Sequence, residues 1–400
     1  MTNQILQGVG TTGNFVLESQ GTAAKDGFRN VSSLWYPKTH DFAFGLEQIE
    51  KGIQSRKDIE TSLDAVTAVI DEQSRFAFAF EDGQEFVPNA HALRQFAVKL
   101  GIPITTVNHL TGEWSGDDGL GLLRNTFNVG LRRHNADQNT DDKDKFVFRT
   151  YNDNTLRAVL TDSFAPIDNR WFLELLSTLI PDGRLSHWKG DADEICGNIL
   201  IPDSIRAESD SDYGGMVNIG NSEIGTGRIS LMPSVFRAIC QNGMIWNETK
   251  GNEVSQVHRG KIDLQVLAKK IGNNINEQIP LLAGMVDRVL ALRSADFGLN
   301  GATVPQVYTA IAKQFNLTPK QARGSNEQFV KFESSERNLF GLLQGITRQS
   351  QEETNDQWIA MDKIAGQIAQ WDSVSWANFT SRALTYKEVQ ITAALGLVAV

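Results

Sequence analysis

The spacing of apolar and polar residues changes several times along this chain, and each change marks an element. Phe76, Phe78 and Phe80 alternate with alanine, and Asp82-Gly83 turns the run into Glu85-Phe86-Val87, which predicts a hairpin. From His91 to Leu110 the period lengthens, with Leu93, Phe96, Leu100, Val107 and Leu110 at helical spacing. Ala97 and Gly101 are small enough for two short helices to cross, as in a helix-turn-helix, whose reading face would be Thr105, Thr106, Asn108 and His109. An ordinary packing pair fits the same residues and is the favoured reading.

Alternation returns in Lys145–Tyr151 and, after the turn Asn152-Asp153-Asn154, in Leu156–Leu160. Asp168 or Asn169 can cap a helix over Arg170–Ile180, with Trp171, Leu175 and Leu179 on one face. Arg184–Ile201 reads as two strands around a turn at Gly190–Asp193, and Ile205–Gly215 as a mobile loop. Met216–Ile219 and Arg228–Met232 read as strands. Pro233 ends the second, Ser234 caps a helix-like run Val235–Cys240, and Asn242-Gly243 makes a tight turn with Gly243 at positive φ. The four strands Phe146–Tyr151, Leu156–Leu160, Met216–Ile219 and Arg228–Met232 are expected in one sheet. From Lys261 the period is helical, with Pro280 kinking or restarting the first helix, and further helices are expected over Thr303–Phe315, Gln328–Gln349 and Trp358–Trp371.

The pattern predicts an α+β fold with an antiparallel β-rich central core and packed helices, followed by a helical C-terminal region. The expected divisions are a flexible N-terminal arm over 1–60, a mixed region with the helix pair over 61–134, the β-rich core over 146–260 and the helical region over 261–400. Asn135–Asp144 is polar and acidic and reads as a surface loop. An arm of this kind is often laid on a neighbouring copy, so a homo-oligomer is expected.

Composition narrows the class. Of 400 residues 40% are hydrophobic, ample for a sizeable core. No apolar run approaches the roughly 18 residues of a membrane span, and the first ten residues lack a signal-peptide pattern, so a cytoplasmic protein with no membrane partner is expected. Cys196 and Cys240 then read as buried free thiols. The net charge of −10 argues against a protein that coats nucleic acid. Within 228–270, however, seven basic residues face three acidic ones, a local basic face on an acidic body.

Candidate chemistry is sparse. Gly8–Gly13 has GxGxxG spacing but no strand before it, and Gly220–Gly227 resembles a phosphate loop only in its glycines, with Thr226 where the lysine belongs. A tight turn is the plainer reading of the second. His187, Asp191, Asp193 and Glu194 cluster without paired ligand spacing and read as an exposed hairpin turn. No cofactor, metal or catalytic motif emerges, so the reading leans away from an enzyme, although a hydrolytic site assembled only in three dimensions stays open. A basic and aromatic set remains: Arg149, Tyr151, Arg157, Arg170, Trp171, Arg228 and Arg237. Cations that track phosphates and a ring that stacks on bases are what single-stranded DNA requires. The six residues Arg149, Tyr151, Arg157, Arg170, Arg228 and Arg237 are the candidate nucleic-acid contacts, with Tyr151 necessarily at least partly exposed.

Three blocks, Leu156–Leu176, Asn221–Trp246 and Arg337–Gln351, carry a family resemblance. Their Ile-Asp-Asn cap, Asn-Ser-Glu-x-Gly strand, Arg-x-x-Cys-x-Asn-Gly-Met turn and late Phe-Gly-x-x-Gln-x-Ile-Thr helix resemble the phage- and plasmid-like family known as domain of unknown function 932. The resemblance spans most of residues 90–350. It implies a mobile-element, intracellular origin and supplies no catalytic residue. The expected function is therefore phage or plasmid DNA metabolism, as an oligomeric single-stranded DNA binding or annealing protein. The alternative is a non-enzymatic interaction protein that counters host defence or regulates replication, for which an acidic surface could imitate DNA.

Overall fold

Alternating apolar strands collapse into two separate sheets, each with its own core. The structure, a computed structural model, describes residues 39–388 apart from 113–115, 138–144, 208–211, 238–241, 246–253, 296, 335–336 and 354. The first sheet draws on β1 (Arg56–Ser62), β2 (Val66–Ile70), β3 (Phe76–Phe80), β4 (Glu85–Pro88), β5 (Lys145–Tyr151) and β6 (Thr155–Thr161). Their order is β1-β5-β6-β4-β3-β2, and only the β4–β6 pair is parallel. Gly83, at φ 81°, makes the β3–β4 turn that Asp82-Gly83 signals. Between β4 and β5 lie α2 (Ala90–Lys99), α3 (Ile104–Leu110) and α4 (Gly116–Asp137). Their apolar stripes meet the phenylalanine face of the sheet. The Phe78 ring lies 4.7 Å from Phe96 of α2 and 5.4 Å from Phe127 of α4, and Phe148 of β5 closes the cluster 5.6 Å from Phe96. The helices α2 and α3 thus pack into a core, through Leu93, Phe96, Ala97 and Val107.

The second sheet contains β7 (Arg184–Gly190), β8 (Glu194–Leu200), β9 (Arg206–Ala207), β10 (Asp212–Ser222), β11 (Ile229–Arg237), β12 (Asn242–Ile245) and β13 (Val254–Gln256). It runs β12-β11-β10-β8-β7, with β9 beside β10 and β13 beside β11, all antiparallel. Two helices cover it at one end: α1 (Phe42–Ser55), capped by Asp41, and α5 (Asn169–Leu179), whose first turn is capped by Asp168 as the sequence suggests. The approach of α1 requires Gly45, where a Cβ would sit 2.7 Å from Leu185 and 2.9 Å from Leu173. The long helix α6 (Leu264–Ala291) crosses the sheet, close enough that a Cβ at Gly215 would meet Leu282 at 2.5 Å. Five more helices follow: α7 (Val304–Phe315), α8 (Pro319–Phe332), α9 (Leu339–Ser350), α10 (Asn355–Ala369) and α11 (Ser373–Ala383). Their buried side chains merge with the sheet's, so that Phe42, Trp171, Ile219, Leu282, Phe340 and Phe379 share one apolar core.

The fold is α+β with a helical C-terminal region, as the pattern predicts. Several finer expectations are corrected. The four strands expected in one sheet divide between two, because alternation identifies a strand but not its neighbour. Residues 39–60 are not an arm: His40 bridges Leu185, and α1 and most of β1 fall in this stretch. The rest of the expected arm, 1–38, lies outside the described residues. The run after Ser234 is strand as far as Arg237, and Cys240 lies outside the described residues. β13 flanks β11 at Ile229–Leu231 and β12 at Ser234–Arg237, and Pro233 falls in the gap between them, where a missing N–H is tolerated. Asn242 and Gly243 are not a turn but lie within β12, opposite Arg237 and Phe236. Pro280 sits inside one continuous α6. Gln328–Gln349 divides into α8 and α9, the second capped by Asn338. Among the described residues no helix is long and apolar enough to cross a membrane.

The phenylalanine cluster gives a direct check on the first core. Phe78→Ala removes a ring that is 0% exposed and should destabilise the protein by about 3–5 kcal/mol in urea unfolding.

Candidate nucleic-acid interface

Three residues of the basic and aromatic set, Arg149, Tyr151 and Arg157, are consumed where the two sheets meet. Arg149 of β5 makes a two-pronged contact with Asp58 of β1, Nε to Oδ1 at 3.0 Å and Nη2 to Oδ2 at 2.9 Å. Its Nη1 donates to the Glu223 backbone carbonyl at 2.8 Å and lies 3.3 Å from the Glu223 carboxylate. Glu223, 1% exposed, also pairs with Arg56 at 2.6 Å and accepts from the Asn169 backbone N–H at 2.7 Å. Burial pushes its carboxyl up, and Arg56, the Asn169 amide and Arg149 pull against that shift. Beside this group the Tyr151 hydroxyl donates to Asp193, whose other carboxylate oxygen takes Arg157 at 2.9 Å. The Arg157 guanidinium lies 4.0 Å above the Tyr151 ring. Burial and the Asp193 carboxylate drive the Tyr151 hydroxyl far up, so it stays a proton donor.

Sequence reasoning therefore brings Arg149, Tyr151 and Arg157 to the right neighbourhood but the wrong side of it. Tyr151 is 2% exposed, which corrects the expectation of a ring open to a base. The partners that draw these groups inward are Asp58, Asp193 and Glu223, far away in sequence. Arg170 is half-exposed at the start of α5 and pairs with Glu174 and Glu50. Its neighbour Trp171 is buried in the second core. Arg237 is buried against Glu333, which Arg348 also grips at 2.8 Å, so it ties β11 to the helical region. Asp191, grouped with His187 and Glu194 in the sequence, accepts the backbone N–H groups of Asp193 and Glu194 and shapes the β7–β8 turn.

Arg228 has a different setting. It is exposed and lines an open cleft of about 940 Å³ between the sheet and α10. The turn between β10 and β11, part of the Gly220–Gly227 stretch, forms one wall, and Lys363 and Ile359 of α10 contribute the other. Local chemistry fixes the turn. Ser222 Oγ accepts from the Thr226 N–H at 3.1 Å and bonds the Thr226 hydroxyl at 2.7 Å. Gly225 takes φ 79°, which a side chain would resist. The Thr226 hydroxyl also contacts Glu194. From the first sheet, His91 Nε2 and Gln95 Nε2 reach the Ile224 carbonyl at 2.9 and 2.8 Å, while Gln95 Oε1 accepts from the Val159 N–H. These two α2 residues were not singled out in the sequence, since their partner lies over 120 positions away. The result is a glycine-rich turn carrying hydroxyls, with cations on two elements, which suits an anionic ligand.

Glu223→Ala should cost about 3–5 kcal/mol in urea unfolding, because it leaves the buried Arg149 and the half-buried Arg56 without their shared carboxylate. A second expectation concerns pH. Burial lowers the pKa of His258 from its ordinary 6.5, and its bond to the Ala165 carbonyl opposes the shift. The folded state then binds fewer protons than the unfolded one, so this contribution is fully present above about pH 6.5 and is lost as the pH falls through that value. Stability profiles of wild type and His258→Phe should diverge below about pH 6.5, with the wild type falling faster.

Comparison with protein-family models, curated proteins and solved structures gave no match to this chain.

Proposed function

We propose that this protein binds single-stranded DNA through its phosphates, in the cleft beside the β10–β11 turn, and serves phage or plasmid DNA metabolism. The observation that carries the reading is that Arg228 of the turn and Lys363 of α10 line one open cleft together with Ser222, Thr226 and Ser230. Its volume of about 940 Å³ is at the upper end of the roughly 300–1,000 Å³ typical of ligand clefts. Of the basic residues over 228–270, Arg228 lines the cleft, whereas Arg237 is buried against Glu333. Glu194 opposes the reading from within the cleft. The mobile-element origin, the cytoplasmic setting in a host cell and the homo-oligomer belong to this proposal, on the strength of the family resemblance and the sequence of the N-terminal arm. A second reading, a non-enzymatic partner of a host protein, is favoured by the net acidity alone.

The test is fluorescence anisotropy with a labelled oligothymidylate at several salt concentrations. Wild type should lose affinity steeply with salt, and Arg228→Ala and Lys363→Ala should each lower the salt slope by about one unit. Arg157→Ala should lower the melting temperature and leave the slope unchanged, since its partner is Asp193. Wild type that stays unbound at low salt, or slopes indifferent to Arg228 and Lys363, would overturn the reading in favour of the second.

A further inference from the structure

Gly225 lines not only the Arg228 cleft but also a second one, of about 460 Å³, between α2 and β6. The second cleft carries His91, Arg94 and Lys99 from α2 and the half-buried ring of Phe164. A Cβ built on Gly225 would lie 3.3 Å from Gln95 and 3.7 Å from the Phe164 ring, so the turn packs directly against the lining of the second cleft. A second connection runs along the strap 257–260. Val257, exposed, lines the first cleft; the next residue, His258, stacks flat against Phe164 at 5.2 Å and an interplanar angle of 5°. Arg259, also exposed, pairs its backbone with that of Phe164. Glu194 is the one carboxylate among the described residues lining either cleft.

We infer that the two clefts form one track for single-stranded DNA, meeting at Gly225, in which Arg94 and Lys99 meet phosphates and the part of the Phe164 ring that lines the second cleft meets a base. The inference rests on the proposed single-strand reading of the Arg228 cleft and extends it to a second site. Cations flank a single aromatic platform along the track: Lys363 and Arg228 line the first cleft, and Arg94 and Lys99 line the second together with Phe164. Such an arrangement follows a flexible polyanion and tolerates any base, because every base has a π-face. His258 holds the Phe164 ring in place by stacking, so that little side-chain freedom remains to be lost on binding.

The experiment compares wild type, Phe164→Leu, Arg94→Ala/Lys99→Ala and Arg228→Ala/Lys363→Ala with a labelled oligothymidylate long enough to span both clefts, about 12 nucleotides. Leucine keeps an apolar side chain against His258 and loses the π-face, and thermal melting verifies that each variant is folded. Phe164→Leu should weaken binding about 5- to 150-fold with little change in salt slope, the range expected for one lost stacking contact. Arg94→Ala/Lys99→Ala should lower the slope by about two units. If both match wild type while Arg228→Ala/Lys363→Ala weakens binding, the shared track is wrong and the first cleft stands alone. If wild type binds nothing at low salt, both the track and the reading beneath it fail.

Discussion

The buried carboxylate of Glu223 is the constraint on which the arrangement of the two sheets depends. The first sheet has its main core in the phenylalanine cluster, and the second shares its core with the helices; among the described residues a small apolar cluster, Ala158 and Leu160 of β6 with Ile224 of the β10–β11 turn, joins the two. Apolar packing is non-directional and would leave the angle between them loosely set. Glu223 supplies direction: it accepts from Arg56 and Arg149 of the first sheet and from the Asn169 amide at the start of α5. Asn169 extends the set, bonding through its side chain to the Asp191 and Ala192 carbonyls and to Asn221. Burying such charges costs several kcal/mol per ion, and that cost is offset only by good geometry. The ensemble therefore contributes more to a unique arrangement than to net stability.

Glu223 also opens the turn that walls the Arg228 cleft. Its backbone carbonyl is held by Arg149, and the next carbonyl, of Ile224, by His91 and Gln95. The turn is thus pinned from the first sheet although it joins two strands of the second. Any change in the angle between the sheets must move the turn against α10 and alter the cleft. Position of the cleft and integrity of the junction are one mechanical fact.

How much of this was legible follows from the range of the interactions involved. The β3–β4 hairpin, the Asp168 cap on α5 and the β7–β8 hairpin depend on residues within a few positions of one another, and their patterns predicted them. Helix α1 is also locally written, in Phe42, Gly45 and Ile49, but it adjoins a stretch without periodicity that masks its pattern. What no local pattern carries is which strand pairs with which, or which carboxylate reaches which arginine. Arg149 and Arg157 lie near Tyr151 as strand geometry requires. Whether the group faces solvent is decided by Asp58, Asp193 and Glu223, between 36 and 91 positions away.

The same reasoning changes what a count of basic residues means here. Arg56, Arg149 and Arg157 are drawn into the junction, and Arg237 and Arg348 converge on Glu333 beneath the helices. A buried ion pair presents almost no field to solvent, so these arginines add little to the attraction of a polyanion however basic the sequence around them looks. The basic residues that line the clefts are Arg228 and Lys363 in the one and Arg94 and Lys99 in the other, with Gly225 common to both. Screening attenuates the field of so short a basic seam within about a Debye length, roughly 8 Å at physiological salt, so on an acidic body it acts only close to the clefts.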